Sequence, residues 1–428
     1  MLRKLLNGFI LILALFSIVS CTDDEEIKKV DVSLKCSLKE DIFKGGELSD
    51  IMIELKNNST GKISKKVYTE GKPISIDEGL YDITIFAKVS FSTEIPDVKE
   101  DNKQLLGANA IKTQKVRGVL YQIALHGQKK NLDVDLYTFH SSEGFVLSEI
   151  YFSGSKTPEN KIYRSDAYFE IYNNSSEVLY ADGLCIGESA FATTIKQDYK
   201  QDKTNILIKD IINKNVVVKA IYQIPGSGKD YPVKPGECIL IADMAQNHKD
   251  KNSKSVDLSN ADFEWFDKDN KNRDTDNPEV PNMNKIYCYT ETIWNLNSNG
   301  QNSYILFRLD KKESDFLAAN KFDYYYMFEH PRLPKPIRKP FLGYTVNNSL
   351  IMDAVNITTP SRFKWLVIDE SLDMGYTHSG DGDASRYGKS VQRKVSYINE
   401  KGRKVLMDTN NSTVDFNPTV VPSPEYIK

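Results

Sequence analysis

The chain has 428 residues and a formal net charge of −3, and 40% of its residues are hydrophobic and 11% aromatic. This length predicts two or three domains with real hydrophobic cores. The hydrophobic fraction is too high for a disordered chain. The near balance of charge provides no basic field that would attract nucleic acid, which argues against a nucleic-acid partner.

The first element in chain order is an apolar run, residues 9–19, preceded by two basic residues and followed closely by a cysteine, Cys21. A charged start, a short apolar stretch and a small residue before the cleavage site predict a cleaved signal peptide over residues 1–20. A membrane-spanning helix is not expected, because the apolar run is too short to span a bilayer. Residues 18–21, Ile-Val-Ser-Cys, resemble the lipobox of bacterial lipoproteins, in which the cysteine is acylated. Ordinary secretion with an incidental cysteine is the alternative.

An acidic tether, residues 21–29, comes next. Its four consecutive carboxylates are Asp23, Asp24, Glu25 and Glu26. Their position resembles the acidic export signal that sends Bacteroidota lipoproteins to the outer face of the outer membrane, although a short acidic run is also typical of a solvated, flexible tether. We expect a protein that is lipid-anchored in the outer membrane and exposed at the cell surface.

Residues 30–139 alternate between apolar and polar side chains in short runs separated by Gly, Asn, Asp and Lys. The predicted strands are Asp31–Cys36, Ile51–Leu55, Tyr81–Phe91, Gly118–Leu125 and Leu132–Phe139. Alternation at this spacing predicts a β-sandwich. Residues 73–87, which contain Gly79 and Tyr81, resemble the Gly-x-Tyr turn and strand of transthyretin-like and immunoglobulin-like modules.

A second β-rich region, residues 144–428, begins with aromatic strands at 145–154 and 166–186 and a Pro-Gly turn before the strand at 231–243. These strands resemble the lamin-tail domain, an immunoglobulin-like sandwich. The segments 351–355, 390–393 and 408–416 resemble its closing strands. The whole chain resembles a family of Bacteroidota surface lipoproteins with a lamin-tail-like C-terminal half. The predicted fold is therefore mainly β, with two sandwich domains.

The second region departs from a compact lamin tail through a long, loop-rich insertion at about residues 249–341. The insertion contains aromatic and basic residues that we predict to be exposed and to bind a partner, because aromatics and Arg often carry interface energy. They are Trp265, Tyr324, Tyr325, Tyr326, Arg332 and Arg338. A buried strand is the alternative for the tyrosines, and a stiff connector is the alternative for the proline tract that holds the arginines.

Two acidic loops are weak candidates for calcium. Asp267 and Asp269 begin one of them, and Asp381 and Asp383 lie in the other. Hard cations need several oxygens from alternate positions of a tight turn. The first loop, however, has Asn272 at the glycine and Pro278 at the final Glu of the known calcium loop, and the second has Arg386 at the glycine. No other cofactor is expected.

Four cysteines remain after Cys21, namely Cys36, Cys185, Cys238 and Cys288. An even number in an exported protein permits disulfides in three pairings, yet each cysteine lies in an apolar, strand-like setting that suits a buried free thiol equally well. Their spacing does not indicate a zinc site.

No nucleophile elbow, zinc-protease helix or phosphate loop occurs in the sequence. We therefore expect a binding protein, an accessory subunit of an outer-membrane receptor or nutrient-uptake complex, with an outer-membrane protein as partner. The alternatives are a surface hydrolase of polysaccharide or peptide and a structural envelope or adhesion protein.

Overall fold

The structure is a computed structural model that describes residues 28–38, 45–94, 109–138, 144–268, 274–332 and 334–424. It is mainly β, with large sheets of seven, six and eight strands. This confirms the predicted mainly β, sandwich-type fold. Among the described residues, no helix is long and apolar enough to cross a membrane. The predicted signal peptide, Cys21 and the acidic residues Asp23, Asp24, Glu25 and Glu26 lie outside the described residues.

The seven-stranded sheet holds the strands before residue 139. They are β1 Lys29–Leu38, β2 Glu47–Asn57, β3 Ile63–Val67, β4 Ile74–Asp77, β5 Gly79–Glu94, β6 Asn109–Leu125 and β7 Lys129–Thr138. Their order in the sheet is β3-β2-β5-β6-β7-β1-β4, and β1 pairs in parallel with β7. The sheet folds over its own core because alternate residues point inward, including Val32, Ile53, Ile85 and Val134.

The second region contains twenty strands and three short helices among its described residues. Its strands are β8 Phe145–Tyr151, β9 Ser155–Lys156, β10 Ile162–Tyr163, β11 Tyr168–Asn173, β12 Leu179–Tyr180, β13 Leu184–Ser189, β14 Lys200–Gln201, β15 Asn215–Gln223, β16 Pro232–Val233, β17 Cys238–Ala242, β18 Phe263–Glu264, β19 Asn284–Cys288, β20 Tyr304–Arg308, β21 Lys321–Phe328, β22 Ile337–Asn347, β23 Ile351–Val355, β24 Ser390–Arg393, β25 Val395–Ile398, β26 Lys404–Leu406 and β27 Phe416–Val420. The helices are α1 Lys209–Ile212, α2 Glu313–Asn320 and α3 Ser412–Asp415, and 3₁₀ turns occur at His248–Asp250, Asn348–Leu350 and Pro360–Arg362.

Two sheets form the sandwich of this region. One has the order β18-β17-β11-β8-β24-β27, and the other runs β14-β21-β22-β15-β13-β20-β23, with β19 added beside β15. Phe169 from the first sheet packs against Tyr304 from the second, with ring centroids 5.0 Å apart. Every residue of β8, β11 and β13 is buried, so these strands are covered on both faces.

The segment 249–341 differs from the predicted insertion. It supplies β18 to β21 and the start of β22, and β20 lies inside the eight-stranded sheet between β13 and β23. Trp294 from this segment is fully buried and stacks on Tyr222, with ring centroids 4.7 Å apart. Burial of such large apolar surfaces explains why the segment is part of the sandwich, although its first half remains rich in loops.

A buried charge cluster joins the last strands to the sandwich. The Arg393 guanidinium forms an ion pair with Asp353 at 2.7 Å and contacts Asp408 at 3.2 Å and Asp415 at 3.6 Å. Burial raises the pKa of Asp353 and of Asp415 to about 6, while the nearby carboxylates raise the pKa of Arg393 despite its burial. A buried charge is stable only when its partners are in place. Because Arg393 lies on β24 and its carboxylate partners lie on other segments, these ion pairs fix the position of β24.

Within the described residues, no disulfide joins Cys36, Cys185, Cys238 or Cys288. Cys185 and Cys288 are buried, and burial raises the pKa of Cys185 to about 12. Of the two sequence-based alternatives, the structure has the free thiol rather than the disulfide.

Candidate functional site

A cleft of about 1010 Å³ lies between the seven-stranded sheet and the second region. Asp82 and Gln122 line it from the first sheet, where a bulge interrupts the pairing of β5 with β6. Asp82 accepts a hydrogen bond from the backbone N–H of Gln122 at 2.9 Å, which fixes this wall. The other walls come from residues 196–213 and 363–376, two segments that lie outside the long strands.

Aromatic side chains form much of the cleft surface. Phe363 and Tyr376 contact each other with ring centroids 4.8 Å apart, and Trp365 and Tyr199 both pack on Phe191 behind them. The indole N–H of Trp365 donates to the carbonyls of residues 192 and 195, both at 3.0 Å, so its ring orientation is fixed. All four lining rings are only partly buried, which leaves apolar surface available to a ligand.

A buried carboxylate holds the aromatic segment in place. Asp373 accepts hydrogen bonds from the backbone N–H of Asn356 at 2.6 Å, of Gly375 at 3.0 Å and of Ser412 at 2.8 Å. Burial raises the pKa of Asp373 to about 6. Because a Cβ atom on Gly375 would meet Asn411 and Thr413 at 2.1 Å and 2.7 Å, only glycine allows the chain to approach α3 this closely.

Thr413 then fixes Tyr376 from both sides. Its hydroxyl accepts a hydrogen bond from the Tyr376 N–H at 3.0 Å and donates to the Tyr376 carbonyl at 2.9 Å. The aromatic surface is therefore held by hydrogen bonds to the sandwich and is formed before any ligand arrives.

Charged residues of both signs surround the aromatic rings. The Lys196 ammonium lies over the Trp365 ring, 5.7 Å from its centroid, and Asp198 and Lys209 line the same cleft. Within the part of the chain that the structure describes, Lys196, Asp198 and Lys209 form no ion pair. Among the described residues that line the cleft there is no His, Cys or Ser, so none of them forms a nucleophile–histidine pair.

Trp265, predicted to be exposed, is fully buried, so that expectation is wrong for this residue. Its ring packs on Phe169 and Trp294 with centroids 5.6 Å and 5.2 Å apart, and its N–H donates to the Trp294 carbonyl at 3.2 Å. The physical reason is that β18 pairs with β17 and turns the neighbouring indole into the core.

The tyrosine run 324–326 forms part of β21, as the strand alternative predicted. Tyr324 is buried against Phe191 and so lies behind the cleft wall. Tyr325 and Tyr326 are half-buried. Exposure was thus predicted wrongly for Tyr324.

Arg338 lies over the ring of Tyr325 at 4.3 Å and pairs with Asp202 at 2.7 Å. Arg332 is exposed in the loop between β21 and β22. The structure therefore brings Tyr325 and Arg338 together, while Arg332 lies further along the hairpin.

The candidate calcium ligands are held by protein groups. Asp267 is buried, pairs with Lys285 at 2.6 Å and accepts a hydrogen bond from the Tyr222 hydroxyl at 2.9 Å. Asp381 accepts the N–H of residue 361 at 2.7 Å, and Asp383 forms an ion pair with Arg386. Asp269 lies outside the described residues. Among those described, no group of three or more His, Cys, Asp or Glu is arranged to hold a metal ion.

Comparison with known proteins bears on the fold. Residues 234–423 match a family model described as "Protein of unknown function (DUF4876)". The chain is also similar to the crystal structure of a DUF4876 family protein from Bacteroides thetaiotaomicron VPI-5482, with a TM-score of 0.53 and 22% sequence identity. The similarity covers 94% of this chain and 97% of that chain, and at this identity it shows the fold alone. No curated protein matches the chain.

Sequence reasoning did not select Tyr199, Phe363, Trp365 or Tyr376. For Phe363 and Trp365 the available signal was a pair of aromatics in a stretch bounded by Pro360 and Gly375 that lacks strand alternation, and Tyr376 follows that glycine directly. No such signal marks Tyr199. Aromatic side chains on loops carried by a rigid sandwich are typical of binding surfaces.

Proposed function

We propose that this protein is a surface lipoprotein that binds a ligand in the cleft between its two β regions. The fixed aromatic surface of Phe363, Trp365 and Tyr376 carries this proposal, because rigid aromatic rings beside mixed charges suit a ligand with both apolar and polar faces. The cleft is large enough for a small molecule, an oligosaccharide or a peptide segment.

The proposed location is the outer face of the outer membrane. It is supported by the apolar run before Cys21 and by the acidic residues that follow it. The proposed role is that of an accessory subunit that delivers a ligand to an outer-membrane receptor. We also propose membership of the DUF4876 family for the whole chain, with a lamin-tail-like second region, on the basis of the partial family match and the similar fold.

Ligand binding is tested by screening the purified chain against defined oligosaccharides and synthetic peptides, then measuring each hit by calorimetry. Trp365→Ala should weaken binding by about thirtyfold, because a central aromatic hot spot contributes about 2 kcal/mol. Phe363→Ala is a second cleft variant that does not disturb the hydrogen bonds of Trp365. The control is Tyr397→Ala, which changes an exposed tyrosine of β25.

Equal loss in the control and in both cleft variants would contradict the cleft as the binding site. Release of cleaved product from an oligosaccharide or peptide would instead favour the surface hydrolase.

The anchor is tested separately. Cys21→Ala should abolish palmitate incorporation and membrane retention, because anchoring depends on the acyl chains. Replacement of Asp23, Asp24, Glu25 and Glu26 by Ala should keep the acyl chains but remove protease accessibility on whole cells. An acylated Cys21→Ala chain, or unchanged accessibility in the acidic variant, would contradict the respective prediction.

The accessory role is tested by co-purification from mildly solubilised membranes. An integral outer-membrane protein should be recovered at constant ratio with the wild-type chain. Its absence would favour a structural envelope or adhesion protein.

A further inference from the structure

The hairpin formed by β21 and β22 extends beyond the sheet that carries it. The two strands pair from Lys321 with Tyr344 to Phe328 with Ile337. The neighbour β15 pairs with β22 only over residues 344–347, and β14 pairs with β21 only over residues 324–325. Beyond these points, within the described residues, the two strands form backbone pairs only with each other. Every residue of 327–332 and 334–341 is exposed, and we refer to these residues as the arm.

The arm exposes large apolar side chains. Met327, Phe328, Ile337 and Phe341 are 45%, 36%, 42% and 43% exposed. A two-stranded ribbon in water gains little from burial within itself, so such a concentration of exposed apolar groups needs an explanation. Exposed apolar patches mark surfaces that contact a protein or a membrane.

The arm also carries unbalanced positive charge. It contains four cations and one carboxylate, whereas the whole chain has a formal net charge of −3. Of the cations, Arg338 is paired with Asp202. In the described part of the chain, Arg332, Lys335 and Lys339 form no ion pair. The Lys339 ammonium lies 5.8 Å from the centre of the Phe328 ring, so cation and apolar ring are side by side.

We propose that the arm contacts anionic lipid headgroups, with its apolar side chains at the membrane interface and its unpaired cations on the phosphates. Phe, Ile and Met beside Lys and Arg are the composition of interfacial membrane elements, in which long cationic side chains reach the headgroups while apolar groups enter the boundary. This contact is independent of the acyl chains and adds to the membrane affinity that they supply.

A lipid surface fits the arm better than a protein partner. The centre of a stable protein interface is depleted of charged residues, whereas the apolar side chains of the arm lie beside unpaired cations, as Phe328 lies beside Lys339. Addition of a partner strand at the β22 edge is opposed by Pro336 and Pro340, which provide no N–H for a ladder.

The test uses the mature chain from residue 21 with Cys21→Ala, so that no acyl chain contributes. Sedimentation is measured with vesicles of phosphatidylcholine and with vesicles containing 30% phosphatidylglycerol. The chain should bind the anionic vesicles and not the zwitterionic ones. Combined Arg332→Gln, Lys335→Gln and Lys339→Gln should weaken binding about fivefold for each cation removed. The matched control is Lys29→Gln, Lys129→Gln and Lys130→Gln, three exposed lysines of the first sheet, which should bind as the parent does.

A second variant tests the apolar part. Phe328→Ser with Ile337→Ser keeps every charge and should lose most binding to the anionic vesicles, while circular dichroism shows unchanged folding. Failure of the parent to bind anionic vesicles, or equal binding by the arm and control variants, would overturn the proposal. So would retention of soluble polyglutamate without vesicle binding, which would assign the arm to an acidic protein.

Discussion

The two β regions of this protein reach stability by different means. The strands of the first region form one sheet, and strands such as β1 and β2 alternate between buried and exposed residues, so one of their faces is solvated and the other faces the core. The second region instead packs two large sheets against each other, and three of their inner strands, β8, β11 and β13, are buried at every position. Buried carboxylates are frequent in this second region, among them Glu149, Asp166, Glu170, Glu264 and Asp373.

The difference shows where each region is vulnerable. The first core is almost entirely apolar, with Arg117 as its one buried charge among the described residues, and that guanidinium donates to the Asn410 carbonyl of the second region at 2.6 Å. The second core depends on polar groups that must all find partners once water is excluded. Mutations should therefore destabilise the first region mainly by loss of packing, and the second region mainly by leaving buried charges unpaired.

The largest expected effect is the loss of Arg393. Arg393→Met should reduce the free energy of unfolding of the second region by about 3–5 kcal/mol, because three buried carboxylates lose their cation. Denaturant unfolding followed by circular dichroism measures this, with the exposed Arg362→Met as control. A change below about 1 kcal/mol would mean that the cluster is no more than a surface ion pair.

A matched substitution in the first region should destabilise the protein only through loss of packing. Ile85→Ala removes a fully buried side chain and should cost about 3 kcal/mol in the unfolding of that region. The midpoint of the unfolding transition of the second region should not change if the two regions are separate cores with a boundary near residues 140–144.

A fragment of residues 22–139 tests the same boundary. It should unfold cooperatively by itself and show dispersed NMR signals. A shift of both transitions by Ile85→Ala, or an insoluble fragment, would indicate one continuous fold.

The pH dependence of stability should also differ between the two regions. Burial and nearby carboxylates raise the pKa of Glu264 to about 7, and burial raises that of Asp373 to about 6. Both carboxyls bind protons more tightly when folded, so their contribution to stability is complete below pH ~4 and is lost as the pH rises through 6 to 7. The second region should thus melt at a higher temperature at pH 5.5 than at pH 8.

Glu264→Gln is the control for this prediction, because it removes one of the raised carboxyl titrations, which also include those of Asp353 and Asp415, and should reduce the difference between the two melting temperatures. The pKa values of His248 and His378, which burial lowers, act in the opposite direction over the same pH range, but these two groups are outnumbered by the buried carboxyls whose pKa values are raised. The lowered pKa values of Asp182 and Asp257 also act in the opposite direction, but only below pH ~4. A melting temperature of the second region that rises from pH 5.5 to pH 8 would contradict the raised pKa values of these buried carboxyls.

The smallest expected effect lies on the surface. Arg338→Gln removes an exposed ion pair with Asp202 and a contact with the Tyr325 ring, and should cost less than about 1 kcal/mol of stability. Tyr324→Ala should cost more than Tyr325→Ala, because Tyr324 is buried against Phe191. Equal losses from the two tyrosine variants, measured by thermal melting, would contradict this ranking.

Alternation in the sequence predicted five of the seven strands of the first sheet, because a strand with one solvated face shows a period of two in its sequence. The short strands β3 and β4 were not predicted. The predicted strand at 81–91 lies inside β5, and the one at 118–125 lies inside β6. The segment 249–341 was harder to interpret, because β20 is covered on both faces and carries no alternation.

The sequence by itself determined the β class, the alternation of the first region and the N-terminal features that favour lipidation, since these depend on local patterns. Only the tertiary structure decided that Trp265 is core, that Asp267 is paired with Lys285, and that Phe363, Trp365 and Tyr376 share a cleft with Tyr199. The reason is that burial and charge partners are set by residues far apart in the chain. Tyr199 and Trp365 are neighbours only because each packs on Phe191.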